Sequence, residues 1–345
     1  AWAHVASGAS MVEYWHWHSL HYGQETYWRG LLGHDLEPNR VYREAMKIGE
    51  EFKRVGPRVA DLSKDVKVAV LFSNDSFHGL SYMPVSDAVN YATVMQQMYS
   101  ALFNLNVEAD FVTPTTTDLS RYKVLIVPPL YVASDETLER ISKFVDNGGH
   151  VVMAFKSGYT NEYDTVRWQR APGPLRKAAG FSYQEFSSLA HPVNLKPDRY
   201  QLGANNQASA WAEFLMPETA ETLASYDHPF FGRFPALTRN KFGKGTLTYE
   251  GTAITAELQQ AVIRDVIERA GLAGSDQRAP EGVRIRHGRN PRGSAIHFYL
   301  NFSPAAKSVS YAYGNGSELL SGKPAVRGAA LTLAPWDVMV VEENR

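Results

Sequence analysis

Three short apolar runs, separated by helical patterns, constrain the fold of this chain more than any other feature. They are VKVAVLFS (66–73), YKVLIVPP (122–129) and HVVMAF (150–155). Strands that are buried on both faces of a sheet read as continuous apolar stretches of this kind. Helices are expected at about 86–103, 135–147 and 255–270. Strands that alternate with helices predict an α/β fold with a doubly wound parallel sheet over residues 65–272, of flavodoxin-like or amidotransferase-like type.

Residues 1–64 carry the pattern of a single strand, loop and helix. Ser10–Trp17 is rich in β-forming residues and predicts a strand. A helix is expected from about Arg40 to Leu62, because apolar residues recur there at spacings of three and four. This is the repeat of a βα barrel, and one copy cannot close a barrel. The opening AWAHVASGAS indicates the end of a helix closed by Gly8, so we expect the chain to be the C-terminal part of a longer protein.

The last part of the chain predicts strands only. A polar linker at 273–280 precedes them. The expected strands lie at 283–288, 295–303, 307–313, 317–322 and 329–342. Alternating hydrophobicity and turns such as GNG at 314–316 predict a small antiparallel β-domain over residues 273–345.

Composition excludes several classes of function. The formal net charge of −1 gives no reason to expect a nucleic-acid partner, and no apolar run is long enough to span a membrane. The chain has no cysteine, which rules out disulfides, thiolate metal sites and a cysteine nucleophile. A cytoplasmic location is expected.

The stretch Met11–Asp35, MVEYWHWHSLHYGQETYWRGLLGHD, is the candidate functional region. It holds three of the seven tryptophans and four of the eleven histidines, with Glu25 among them. Sugar rings stack their C–H faces on aromatic side chains, and their hydroxyls bond to carboxylates and imidazoles. The pattern therefore favours a carbohydrate site, with an aromatic-rich core strand and loop as the alternative.

Three segments in and around this region resemble glycoside hydrolase family 42, the bacterial β-galactosidases. SGASMVEYWHWHS, GQETYWRGLLGHD and NRVYREAMKIGEEF are similar to the eighth strand, substrate loop and eighth helix of that family's TIM barrel. The segment HVVMAFKSGYTNEYD resembles part of its trimerisation domain, and the last domain resembles its C-terminal β-domain. The implied order is the last βα unit of a (β/α)8 barrel at 1–64, an amidotransferase-like trimerisation domain at 65–272 and a small β-domain at 273–345.

The resemblance implies a function for the complete protein. Family members are glycosidases that hydrolyse terminal β-D-galactosides with retention, using two glutamates about 5 Å apart. Both glutamates precede the region that this chain matches, so no catalytic residue is assigned and the chain alone is expected to be inactive. Trp15, Glu25 and Trp28 match substrate-binding positions around the galactose. A homotrimer is implied, with a galactose-containing sugar as ligand and no cofactor.

Several rival interpretations stay open at the level of sequence. The chain could be a non-enzymatic assembly or carbohydrate-binding module. His16 and His18 have a spacing that can chelate a metal, although no metal is expected. Glu25 could instead pair with Arg29 or Arg40. Ser157 follows a strand where related folds place a nucleophile, but Phe155 stands where a serine elbow needs glycine. The basic stretch 284–292 indicates a solvated face.

Overall fold

The computed structural model describes residues 1–344, which fall into two compact units, 1–65 with 278–344 and 66–277. The described residues form seven α-helices. They are α1 (Trp2–Ala6), α2 (Arg40–Val59), α3 (Asn74–Tyr82), α4 (Tyr91–Asn104), α5 (Asp135–Asp146), α6 (Arg176–Ala179) and α7 (Ala256–Arg269).

The unit of residues 66–277 contains twelve strands, and the rest of the described chain contains seven more. The twelve are β1 (Val68–Leu71), β2 (Asp110–Val112), β3 (Val124–Val127), β4 (His150–Ala154), β5 (Phe181–Ser182), β6 (Phe186–Lys196), β7 (Gln207–Glu213), β8 (Met216–Pro217), β9 (Glu221–Tyr226), β10 (Pro235–Phe242), β11 (Gly245–Glu250) and β12 (Thr252–Ile254). The seven are β13 (Val283–Arg289), β14 (Ala295–Asn301), β15 (Lys307–Ser310), β16 (Gly316–Glu318), β17 (Pro324–Ala325), β18 (Ala330–Leu333) and β19 (Val338–Glu343).

A ten-stranded mixed sheet organises the unit of residues 66–277. Its order is β12-β7-β6-β9-β10-β11-β4-β3-β1-β2. The part from β11 to β2 is parallel, and the part from β12 to β10 joins it through antiparallel pairs. The apolar runs predicted as buried strands are β1, β3 and β4, and each strand position of β1 and β3 is buried.

Helices cover both faces of the parallel strands, as the alternating pattern predicted. Val68 and Val70 of β1 pack in one core with Met98 of α4 and with α7. Their neighbours Ala69 and Leu71 point to the other face, into a second core that includes Leu138 of α5. The period of two along a strand sends successive side chains to opposite faces, and both faces are therefore apolar.

The structure corrects the sequence interpretation of residues 156–240, which gave no clear assignment. This segment supplies most of the antiparallel part of the sheet, including the eleven-residue strand β6. Most positions of β6 are exposed, and a proline interrupts its pairing with β7 between Leu189 and Val193. The sequence of β6 did not predict a strand, because its apolar pattern is weak and it contains a proline.

The other unit is built on a five-stranded antiparallel sheet of order β13-β14-β19-β16-β17, with β15 and β18 paired beside it. Helix α2 begins at its N-cap Asn39, whose side chain accepts from the Tyr42 amide. Its apolar stripe ends in Val55 and Val59, which pack with Trp2 of α1 against Phe298 of β14. The predicted helix end at Gly8 is confirmed, because Gly8 has a φ of +102° just after α1.

Two predicted strands in this unit are wrong. Ser10–Trp17 forms no regular strand, and only an isolated bridge joins His18 to Leu32. A strand needs a neighbour for its backbone groups, and within residues 1–344 only His16 and Trp17 at the end of this segment receive backbone bonds, from Leu31 and Leu32. The expected strand at 329–342 is two strands, β18 and β19, because a turn at Ala334–Asp337 interrupts it.

Among the helices of residues 1–344, none combines the length and the apolar character needed to cross a lipid bilayer.

Candidate functional site

The aromatic region around residues 11–38 folds as two loop segments lying side by side. The amides of Leu31 and Leu32 donate to the carbonyls of His16 and Trp17 at 3.1 and 3.0 Å. A hydrogen bond also runs in the opposite direction, because the amide of the buried Ser19 donates to the Leu32 carbonyl at 3.0 Å. These backbone bonds hold the indoles of the first segment next to the second segment.

Gly30 makes this close approach possible. A Cβ at Gly30 would lie 2.3 Å from the carbonyl carbon of His18, a distance that no side chain can occupy. Gly30→Ala should therefore separate the two segments and speed hydrogen exchange of the Leu31 and Leu32 amides at least tenfold. Gly49→Ala is the matched control, because a Cβ at Gly49 meets no atom within 4 Å. Unchanged exchange in Gly30→Ala would show that the loops do not need this contact.

Trp15, His16 and Trp28 form one cluster in this region. The His16 ring lies 5.0 Å from the Trp15 ring and 6.4 Å from the Trp28 ring, between centroids. The exposed fraction of Trp15 is 79% and that of Trp28 is 55%. The Nε2 atom of His16 is buried and has no hydrogen-bond partner among residues 1–344. The cluster thus offers two open aromatic faces, at two of the predicted binding residues, packed around the imidazole that the sequence had offered as a possible metal ligand.

Glu25 lies at the start of a tight turn that leads to Trp28. The Trp28 amide donates to the Glu25 carbonyl at 3.0 Å, which brings the carboxylate and the indole onto one turn. Arg40 pairs instead with Glu44 at 2.8 Å. Within residues 1–344, no Lys, Arg or His nitrogen lies within 4.0 Å of the Glu25 carboxylate. The alternative that Glu25 only pairs with Arg29 or Arg40 therefore has no ion pair to support it.

The histidines of this region contact backbone carbonyls. The Nδ1 atom of His18 lies 2.8 Å from the Ser19 oxygen, and the Nε2 atoms of His21 and His34 lie 2.6 and 3.0 Å from the oxygens of His34 and Thr26. Each of these contacts engages one ring nitrogen and leaves the other outside the contact, an arrangement that metal-binding histidines also use, so it does not decide between the two roles. In the described part of the chain, no group of three or more His, Asp or Glu residues is arranged to hold an ion.

A cleft of about 570 Å³ lies beside the second loop segment. Ser19, Tyr27, His34 and Arg40 are among its lining residues. Trp15, Glu25 and Trp28 do not line it, so the three predicted binding residues face open solvent.

A second polar cluster, which sequence analysis missed, surrounds the fully buried Glu213 at the end of β7. Its carboxylate accepts from the Lys156 amide at 2.7 Å and from the Tyr249 hydroxyl at 2.8 Å. Burial raises the pKa of Glu213 to about 7, against the opposing effect of these hydrogen bonds. The Lys156 ammonium lies 4.2 Å from the centroid of the Trp211 ring, and burial lowers its pKa.

Lys156, and not Ser157, occupies the strained position after β4. Its φ is +58°, in the left-handed region. Ser157 is fully buried, and its hydroxyl donates to the Ala154 carbonyl at 2.7 Å and accepts from the Leu130 amide at 3.0 Å. The Ser157 hydroxyl is therefore used in buried hydrogen bonds. This agrees with the sequence, in which Phe155 argues against Ser157 as a nucleophile.

The basic stretch 284–292 is only partly the solvated face that the sequence predicted. Arg286 is 7% exposed, and one guanidinium nitrogen donates to the Ile285 carbonyl at 2.7 Å. The long aliphatic stem of arginine allows such burial within a sheet.

Two protein-family models match parts of this chain. Residues 1–55 match the family model described as Beta-galactosidase, and residues 66–273 match the one described as Beta-galactosidase trimerisation domain. A β-galactosidase from Geobacillus sp. (strain Y412MC61) is 32% identical over 255 residues, which cover 73% of this chain and 37% of that protein.

Two solved β-galactosidase structures match nearly the whole chain. The one from Bacillus circulans sp. alkalophilus has a TM-score of 0.90 and 27% identity, over 99% of this chain and 51% of that one. The one from Halorubrum lacusprofundi has a TM-score of 0.83 and 28% identity, over 100% of this chain and 49% of that one. The chain thus spans about half the length, or less, of the relatives it matches.

Proposed function

This chain belongs to glycoside hydrolase family 42, the β-galactosidases, and on that premise we propose that it forms the C-terminal part of a retaining enzyme for terminal β-D-galactosides. Residues 1–64 would be the last βα unit of its barrel, 65–272 its trimerisation domain and 273–345 its small β-domain. The observation that carries the proposal is the open Trp15–His16–Trp28 cluster beside the unpaired Glu25 carboxylate.

Trp15, Glu25 and Trp28 bound the galactose subsite in this proposal. The exposed indole faces stack on the C–H face of the sugar ring, and the Glu25 carboxylate accepts hydrogen bonds from its hydroxyls. The His16 ring packs next to both binding tryptophans, with centroids 5.0 Å from Trp15 and 6.4 Å from Trp28, and supports the position of both indoles. The exposure of Trp15, Glu25 and Trp28 fits a wall of a pocket that other barrel strands complete.

The bond-breaking carboxylates lie outside this chain in the proposed enzyme. Retention needs two carboxyl groups about 5 Å apart on either side of the sugar. The family's acid/base and nucleophile stand on barrel strands that precede the region matched here, so the chain by itself should not hydrolyse galactosides. The unit of residues 66–277 would join three copies of the complete protein, as the description of its matching family suggests.

Replacing Glu25 in the complete enzyme tests the binding role. We expect Glu25→Gln to lower kcat/KM for a chromogenic β-D-galactoside by about 10- to 100-fold, because hydrogen bonds to a charged acceptor are worth about 1.5 to 3 kcal/mol. The protein to assay is the full reading frame that contains this chain. Glu37→Gln is the control, since Glu37 is an exposed acid of the same loop region.

Two outcomes would contradict this proposal. One is an unchanged kcat/KM in Glu25→Gln. The other is hydrolysis by the purified 345-residue chain that Glu25→Gln abolishes. A reading frame that begins just before Ala1 would favour the alternative, a non-enzymatic assembly or carbohydrate-binding module, because the exposed aromatic cluster would then have no catalytic pair to serve.

A further inference from the structure

The turn between β18 and β19 has an unusual residue at its third position. The turn Ala334–Asp337 is closed by a bond from the Asp337 amide to the Ala334 carbonyl at 3.3 Å. Pro335 takes the second position, and Trp336 takes the third with a φ of +58°. This is the pattern of a type II turn, whose third residue is normally glycine because a Cβ is disfavoured there. A tryptophan at this position is conformationally unfavourable.

Packing within the described chain does not compensate for this strain. The Trp336 side chain is 67% exposed, and no aromatic ring among residues 1–344 stacks on it. A strained backbone that presents a large exposed side chain is typical of a functional position. The strained turn therefore holds the Trp336 indole at the surface, where it can contact a ligand.

Trp336 lies at a cleft between α2 and the five-stranded sheet. The cleft has a volume of about 820 Å³, which is within the range of sites for small ligands. Helix α2 contributes Lys47, Glu51 and Arg54 to its wall, and the sheet side contributes Lys323 and Asp337. The charged lining comprises five acidic and three basic side chains, so the cleft presents both hydrogen-bond acceptors and donors; they are Glu44, Glu50, Glu51, Glu318, Asp337, Lys47, Arg54 and Lys323.

Two of these polar side chains are held in place by other contacts. The Glu51 carboxylate accepts from the Trp2 indole nitrogen at 2.8 Å. The Arg54 guanidinium donates to the carbonyls of Leu319 and Leu320 at 3.2 and 3.0 Å. Fixed polar groups lose little conformational freedom when a ligand binds, which favours recognition of a ligand with many hydroxyls.

We propose that this cleft binds a neutral oligosaccharide, with one sugar ring stacked on the Trp336 indole and neighbouring hydroxyls bonded to Glu51, Arg54 and Asp337. An aromatic face combined with fixed donors and acceptors of both charges suits a sugar better than it suits an anion, a cation or an apolar peptide. The site is separate from the Trp15, Glu25 and Trp28 region, and the proposal does not depend on galactoside hydrolysis.

The test combines ligand binding with thermal stability in the 345-residue chain. Galactotetraose, cellotetraose and maltotetraose are titrated separately by calorimetry against the parent chain, Trp336→Gly and Trp336→Asn. We expect at least one of the three sugars to bind the parent and its Kd to rise at least tenfold in both variants. The Tm should stay equal or rise in both, because glycine and asparagine tolerate a positive φ.

Two control variants separate this cleft from other exposed aromatic side chains. Trp168→Gly removes a fully exposed indole of the other unit, and Tyr82→Ala removes a ring of that unit that is 91% exposed. Sugar binding that survives in both controls and is lost in the Trp336 variants supports the proposal. The proposal is overturned if none of the sugars binds at millimolar concentration, if binding survives in Trp336→Gly, or if both Trp336 variants lower the Tm.

Discussion

Replacing Glu213 by leucine should lower the free energy of unfolding of the 66–277 unit by about 4 kcal/mol at pH 6, since each buried donor left without a partner costs about 1 to 3 kcal/mol. The carboxylate is the acceptor for the Lys156 amide and the Tyr249 hydroxyl, at 2.7 and 2.8 Å. Leucine has nearly the volume to fill the space but cannot accept a hydrogen bond. The measurement is urea unfolding, followed by hydrogen exchange of the amides in β3 and β4.

Glu213→Gln separates the lost hydrogen bonds from the lost charge. The amide oxygen of glutamine can still accept from Lys156 or Tyr249, so this variant should stay within about 1.5 kcal/mol of the parent at pH 6. Glu185→Leu is the surface control, because Glu185 is exposed and its replacement leaves no buried donor unpaired. If Glu213→Leu and Glu185→Leu unfolded at the same urea concentration, the buried network would not contribute to stability.

Stability of the same unit should fall as the pH rises from 5 to 8, mainly because of Glu250. Burial raises the pKa of Glu250 from 4.5 to about 8, and a single hydrogen bond from Gln259, at 2.7 Å, opposes this shift. The folded state therefore keeps a proton that the unfolded chain releases at lower pH. Glu250 alone should lower the free energy of unfolding by about 1.4 kcal/mol per pH unit in this window, about 4 kcal/mol in total, and Glu213 adds a similar slope below pH 7.

Glu250→Gln should remove the Glu250 contribution to this pH dependence and leave that of Glu213. Glutamine preserves the acceptor for Gln259 and cannot ionise, so at pH 8.5 the variant should be more stable than the parent by several kcal/mol, on the order of 4. The remaining slope below pH 7 comes from Glu213, whose pKa is raised to about 7 by burial. Glu268→Gln, an exposed acid on the same helix as Gln259, should retain the parent's slope. Equal slopes in Glu250→Gln and the parent would show that Glu250 is ionised in the folded state.

Local sequence patterns were sufficient for the elements whose own residues decide their structure. Helices α2, α5 and α7 follow from apolar spacing and from the side-chain caps Asn39, Ser134 and Thr255. Strands β1, β3 and β4 follow from continuous apolar runs, because a strand buried on both faces can expose no polar residue. The candidate site was proposed as a region, since residues 11–35 combine aromatic rings, imidazoles and a carboxylate within 25 positions.

Contacts between residues far apart in sequence could not be predicted from the sequence. Nothing in the local sequence AWAEFL indicates that Glu213 is buried. It becomes a buried hydrogen-bond acceptor only because Lys156 and Tyr249 approach it in the fold. Lys156 likewise follows an apolar run without any signal for a positive φ. The exposed antiparallel strand β6 lacks an apolar pattern, because its stability comes from backbone pairing with β7 and β9.

The sequence by itself therefore determined the family, the α/β core and the stretch that carries the candidate site, because these depend on residue type and on spacing along the chain. Only the tertiary structure decided that Ser10–Trp17 is not a strand, which acids are buried, and that Trp336 stands at a cleft on a strained turn. Strand pairing, burial and ligand clefts are made by residues far apart in sequence, and the energy that selects them appears only when those residues meet.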